Sequence, residues 1–107
     1  MSDGRPQDLS VLHEIEAVLR ARLAERPEGS YSVTLLTDTE QAQRKIIEEA
    51  FELCLELGRA RPPATDPARV ADEAADLVFH VLAGLVGAGV ALDDVLDVLA
   101  HRRGARR

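Results

Sequence analysis

Asp66-Pro67-Ala68-Arg69-Val70-Ala71-Asp72-Glu73-Ala74-Ala75-Asp76-Leu77-Val78-Phe79-His80-Val81-Leu82-Ala83-Gly84-Leu85-Val86 is the stretch that decides the fold. Asp followed by Pro is an N-cap followed by proline at the first helical position, where its missing N–H and fixed φ cost nothing. The helix this opens should reach about Val86, where Gly87 and Gly89 break it. Val70, Leu77, Val78, Phe79, Val81, Leu82, Leu85 and Val86 wrap most of its circumference, the mark of a buried helix. Its one polar strip holds Asp72, Glu73, Asp76 and His80, continued by Gly84 and Gly87. Carboxylates on an otherwise buried helix must be paired or bind a cation. His80 reads as a hydrogen-bonded residue rather than a ligand.

Upstream lies a second acidic cluster, Glu48-Glu49-Ala50-Phe51-Glu52. Thr37 and Glu40 have capping-box spacing, so a helix should start there and end at Gly58, a natural residue just past a helix C-terminus. Glu49 and Glu52 share a face at three-residue spacing, as do Glu73 and Asp76. A charged strip is commonly a solvated face. Two like-charged pairs on facing helices instead repel, and a bound hard cation relieves them. Oxygen ligands without Cys or His favour Mg²⁺, with Mn²⁺ as a substitute.

Working outward, a first helix spans about Asp8 to Glu25, with Leu12, Ile15, Leu19 and Leu23 as its stripe and Pro27 and Gly29 ending it. Gly29-Ser30-Tyr31-Ser32 reads as a polar loop with amides and hydroxyls suited to an anion, followed by a short apolar piece at Leu35 and Leu36. Arg61-Pro62-Pro63 cannot continue a helix. A last helix covers about Leu92 to Arg103, with Leu92, Val95, Leu96 and Leu99 as its apolar face and Arg102 and Arg103 at its C-terminus. The expectation is an all-α bundle of four main helices. Apolar surface on the third that one chain cannot cover would be completed by dimerisation, as a homodimer or higher homo-oligomer.

The 107 residues suit a single domain, 1–107. Hydrophobic residues make up 46% and charged residues 30%, the balance of a globular chain. A net charge of −6 argues against nucleic-acid partners, which need clustered Lys and Arg. Cys54 is the sole cysteine, excluding an internal disulfide; it reads as a small buried hydrophobe. No apolar run has membrane-spanning length and the polar N-terminus is no signal peptide, so the chain is expected to be cytoplasmic.

Gly-Ser-Tyr-Ser (29–32), Lys45, Glu-Glu-Ala-x-Glu (48–52) and Glu-Ala-Ala-Asp-Leu-Val-Phe-His (73–80) together resemble the phosphoribosyl-ATP pyrophosphohydrolases of histidine biosynthesis. These are relatives of the MazG-like all-α nucleotide pyrophosphohydrolases. The superfamily signature, Glu-x-x-Glu followed after a gap by Glu-x-x-Asp, falls on Glu49, Glu52, Glu73 and Asp76. Ile47 stands where the family commonly has Gly, and Phe79 where it has Tyr. The resemblance implies a MazG-like bundle that hydrolyses phosphoribosyl-ATP to phosphoribosyl-AMP and pyrophosphate. It implies that Glu49, Glu52, Glu73 and Asp76 hold Mg²⁺, and that Glu48 gives support or acts as the water-activating base. Lys45 and Arg102 would neutralise phosphate, and Ser30 and Tyr31 would position the nucleotide. The alternatives are a MazG-like hydrolase of (deoxy)nucleoside triphosphates and a non-catalytic helical dimerisation module.

Overall fold

A computed structural model describes residues 11–59 and 66–105. The expected N-cap Asp8 and the helix-breaking Arg61-Pro62-Pro63 lie outside the described residues. The described chain is all-helical: α1 Val11–Glu25, α2 Tyr31–Thr37, α3 Thr39–Arg59, α4 Pro67–Gly87 and α5 Leu92–Ala105. Five helices therefore replace the four expected.

The added one, α2, occupies what read as a polar loop with an apolar tail. Ser30 stands at its N-cap with extended backbone, and its hydroxyl makes no capping bond. Tyr31, Val33 and Thr34 are weak helix formers. What holds these roughly two turns is burial of Leu35 and Leu36, which are 2% and 5% exposed. Tertiary packing overrides local propensity here.

The start of α3 also differs from expectation. Asp38, rather than Thr37, caps it, its carboxylate accepting the Gln41 amide at 3.2 Å. Thr37 turns back and donates its hydroxyl to the Val33 carbonyl at 2.7 Å. Gly58 lies inside α3, which runs on through Arg59. At the other end of the bundle, α4 closes on a Schellman motif. Gly89, at φ +76, donates to the Val86 carbonyl at 3.0 Å, and Val90 donates to the Leu85 carbonyl at 2.9 Å.

The core gathers Leu19 of α1, Leu35 and Leu36 of α2, Leu82, Ala83 and Val86 of α4, and Leu92 of α5. Helix α4 runs through the middle and packs against α1, α2 and α3. Helix α5 begins against this core through Leu92 and Leu96. Its first amide, that of Leu92, donates to the Glu16 carboxylate of α1 at 2.8 Å. This is a cap supplied from another helix, with a negative group at a helix N-terminus. The bond holds the Glu16 carboxyl below its usual pKa.

Beyond that start α5 leaves α4 at 115°, and Val98 and Leu99 are largely exposed. Between the two helices opens a cleft of about 330 Å³ lined only by apolar residues, among them Leu77, Val78, Val81, Val95 and Leu99. Among the described residues no single helix is long and apolar enough to cross a membrane. Cys54 is exposed, contrary to the expectation of burial.

Candidate active site

Among the described residues, helices α3 and α4 form the most extensive helix pair. Their pairing is antiparallel. Ile46 meets Gly84, Glu49 meets Glu73 and Asp76, and Glu56 meets Arg69, so the number falls on one helix as it rises on the other. Both acidic strips consequently face one groove.

In that groove Glu49, Glu73 and Asp76 each present a carboxylate oxygen, all within 4.8 Å of one another. Glu49 and Glu73 are half-buried and Asp76 is exposed. Partial burial, and then the charges of Asp76, Glu52, Glu49 and Glu56, push the Glu73 carboxyl above its ordinary pKa. Crowded carboxylates resist ionising together unless a cation joins them. Three convergent oxygens without nitrogen or sulfur fit a hard divalent ion. His80 has both ring nitrogens engaged elsewhere. Glu52 is exposed and outside the converging three, although its charge is among those felt by Glu73.

Cations bracket the cluster. Toward the N-terminus of α3, Lys45 donates to Glu48 at 2.7 Å and lies 3.6 Å from Glu49. The bond to Glu48 raises the Lys45 pKa, so its ammonium stays charged, and lowers that of Glu48. Toward the other end, Arg59 donates to Glu56 at 2.9 Å while Arg69 reaches the same carboxylate at 3.4 Å from α4. Glu56 is only 6% exposed. Sequence reasoning missed this cross-helix clasp. Its local half, Glu56 and Arg59 three apart, was visible; Arg69 was not.

The loop residues arrive from the side. The Tyr31 hydroxyl at the start of α2 lies 2.8 Å from His80 Nε2, within hydrogen-bond reach, and His80 Nδ1 donates to the Asp76 carbonyl at 2.7 Å. Tyr31 is thereby tied to the turn that carries Asp76. Ser30 adjoins it, half-buried. Arg102, exposed in the last turn of α5, makes no ion pair with the acidic cluster among the described residues.

Residues 12–103 match the sequence family described as phosphoribosyl-ATP pyrophosphohydrolase. The chain belongs to that family. A "Phosphoribosyl-ATP pyrophosphatase" of Ruegeria pomeroyi is 38% identical over 97 residues, covering 90% of this chain and 88% of the relative. One from Methanopyrus kandleri is 41% identical over 98 residues, covering 90% of this chain and 97% of its own. The "Histidine biosynthesis bifunctional protein his7" of Schizosaccharomyces pombe is 40% identical over 101 residues, 92% of this chain and 22% of the larger protein. Three of the four carboxylates that the sequence resemblance picked out, Glu49, Glu73 and Asp76, converge in this groove. Ile47, the departure beside it, is 71% exposed and leaves the three oxygens undisturbed.

Proposed function

We propose that this protein is a Mg²⁺-dependent hydrolase that cleaves phosphoribosyl-ATP to phosphoribosyl-AMP and pyrophosphate, the second step of histidine biosynthesis. The observation that carries the reading is the convergence of Glu49, Glu73 and Asp76 in a chain of this family. Bound Mg²⁺, or Mn²⁺ in its place, supplies charge neutralisation for phosphate oxygens and a more acidic water. Glu49, Glu73 and Asp76 would hold it, with exposed Glu52, one turn from Glu49, as the fourth carboxylate. Lys45 offers a fixed positive charge to the phosphates, and Arg102 a second from α5. Glu48 holds that ammonium at 2.7 Å and stays the candidate base for the attacking water. Ser30 and Tyr31 position the nucleotide.

The apolar cleft between α4 and α5 supports a homodimer. Val78 and Val81 are 43% and 37% exposed, and Leu99 is 57% exposed. Side chains of this kind in one continuous cleft suit a second copy of the chain. The work is that of a cytoplasmic enzyme acting on a small dissolved nucleotide.

The test is pyrophosphate release from phosphoribosyl-ATP beside a panel of ATP and deoxynucleoside triphosphates, with Mg²⁺ and with EDTA. Release from phosphoribosyl-ATP that EDTA abolishes is expected, with ATP a poor substrate. Equal or faster release from ATP or a deoxynucleotide would overturn the substrate assignment.

A further inference from the structure

Tyr31 reaches the site with its proton already committed. His80 Nδ1 lies 2.7 Å from the Asp76 carbonyl, which can only accept, so Nδ1 carries the ring proton. In a neutral imidazole the other nitrogen is then a bare acceptor, and the Tyr31 hydroxyl 2.8 Å away must be its donor. The ring that imposes this is 8% exposed and held edge-on by Phe79 and Tyr31, with centroids 5.3 and 5.9 Å away. Tyr31 itself is half exposed. Its oxygen therefore keeps lone pairs and has no hydrogen left to donate.

Such an oxygen cannot serve a phosphate, which at neutral pH also only accepts. It can serve a hydroxyl or an N–H. We infer that Tyr31 is a specificity-determining residue that accepts a hydrogen bond from a donor on the nucleoside part of the substrate, and that His80 is the positioning residue that fixes this polarity. The inference rests on the proposed nucleotide-hydrolase reading. Phosphate and metal then fall to Lys45 and the carboxylates, and discrimination among nucleotides falls to the Tyr31–His80 pair.

The experiment measures kcat and KM at pH 8 for wild type, Tyr31→Phe, His80→Ala, His80→Gln and the Tyr31→Phe/His80→Ala double variant. Substrates are phosphoribosyl-ATP and its 2′-deoxy, 3′-deoxy and N6-methyl analogues, which separate the two ribose hydroxyls from the base N–H. Wild type should lose about tenfold in kcat/KM on one analogue, chiefly through KM, as an unpaired polar group dictates. Tyr31→Phe and His80→Ala should each lose about as much on the full substrate and no longer distinguish that analogue. The double variant should be no worse than either. His80→Gln, which returns an acceptor at similar reach, should recover the discrimination. Wild type accepting all three analogues equally, or Tyr31→Phe still discriminating, or additive losses, would each overturn the inference. Mg²⁺-dependent thermal stabilisation should stay unchanged in every variant. If His80→Ala does not fold, Tyr31→Phe and His80→Gln decide the matter. Wild type inactive on phosphoribosyl-ATP would instead sink the substrate assignment, and the same variants would be compared on the 2′- and 3′-deoxy forms of whichever triphosphate it cleaves.

Discussion

Gly87→Ala should destabilise this protein, and the distance that sets the penalty is on the α2–α4 contact. A Cβ built on Gly87 would stand 2.7 Å from the backbone oxygen of Leu36. Carbon and oxygen approach to about 3.3 Å without repulsion, so α2 must retreat by roughly half an ångström. The obstacle is backbone, and Leu35 and Leu36 are both core residues, so the retreat opens the core as well. Overpacking of this kind costs about 1–3 kcal/mol, and the better helix propensity of Ala returns at most about 1 kcal/mol. A net loss of roughly 1–2 kcal/mol lowers Tm by about 5–15 °C in a domain this size. Gly84→Ala is the matched control. Its Cβ would meet only the end of the Ile46 side chain, at 3.3 Å, which can turn aside, so that variant should melt at or above wild type. Thermal melts by circular dichroism at one fixed chain concentration make the comparison, since an oligomer's Tm depends on concentration. Because α2 also carries Tyr31, Gly87→Ala should raise KM more than it lowers kcat. Gly87→Ala melting as high as Gly84→Ala would refute the steric reasoning.

Further outcomes are expected. Saturating Mg²⁺ at a hundredfold excess over Kd should stabilise the fold by about 2.7 kcal/mol, and identical melting midpoints with Mg²⁺ and EDTA would remove the metal site. Glu49→Gln and Asp76→Asn should abolish pyrophosphate release while keeping the helical circular-dichroism signal, since each removes a ligand charge at nearly constant shape. Without metal, the raised Glu73 pKa makes the folded state hold its proton more tightly than the unfolded chain. That contribution to stability is lost as pH rises from the ordinary glutamate value through the raised one. Mg²⁺ competes with that proton, so its effect on Tm should grow across the same window. Glu16 has the opposite sign: its stabilisation is present above the ordinary value and lost as pH falls through its lowered folded pKa. Glu16→Ala should cost about 1 kcal/mol, like loss of a helix cap, and flatten that acid limb. Sedimentation at micromolar concentration should show a dimer, and a stable monomer would leave the α4–α5 cleft unexplained.

The acidic groove was legible in the sequence because it rests on one rule, that three residues make nearly a full turn. Glu49 with Glu52 and Glu73 with Asp76 had to share faces whatever their helices packed against. The start of α4 at Asp66-Pro67 and its end near Gly87 were equally local. Features that depend on a partner in space were not. Helix α2 exists because Leu35 and Leu36 find a core, and nothing in Ser30-Tyr31-Ser32-Val33-Thr34 announces a helix. Thr37 and Asp38 both offer a capping oxygen, and only the direction each side chain takes assigns the cap to Asp38.

The same limit governs the site itself. Spacing treats Glu49 and Glu52 alike, yet in the α3–α4 pairing Glu49 lies inward at 13% side-chain exposure and Glu52 stays outside the converging oxygens. Likewise the Glu56 clasp draws one cation from its own helix and the other from the first turn of α4. Burial makes that carboxylate depend on its arginines, since an unpaired buried charge is costly. The clasp fixes how the two acidic strips lie against each other a turn or two from the converging oxygens. Family likeness names the four carboxylates as a set. Packing ranks them, with Glu49, Glu73 and Asp76 already converged and Glu52 outside the three. Glu52→Gln should therefore weaken Mg²⁺ stabilisation less than Glu49→Gln does, and the reverse order in metal-dependent melts would mean that the groove rearranges when the ion binds.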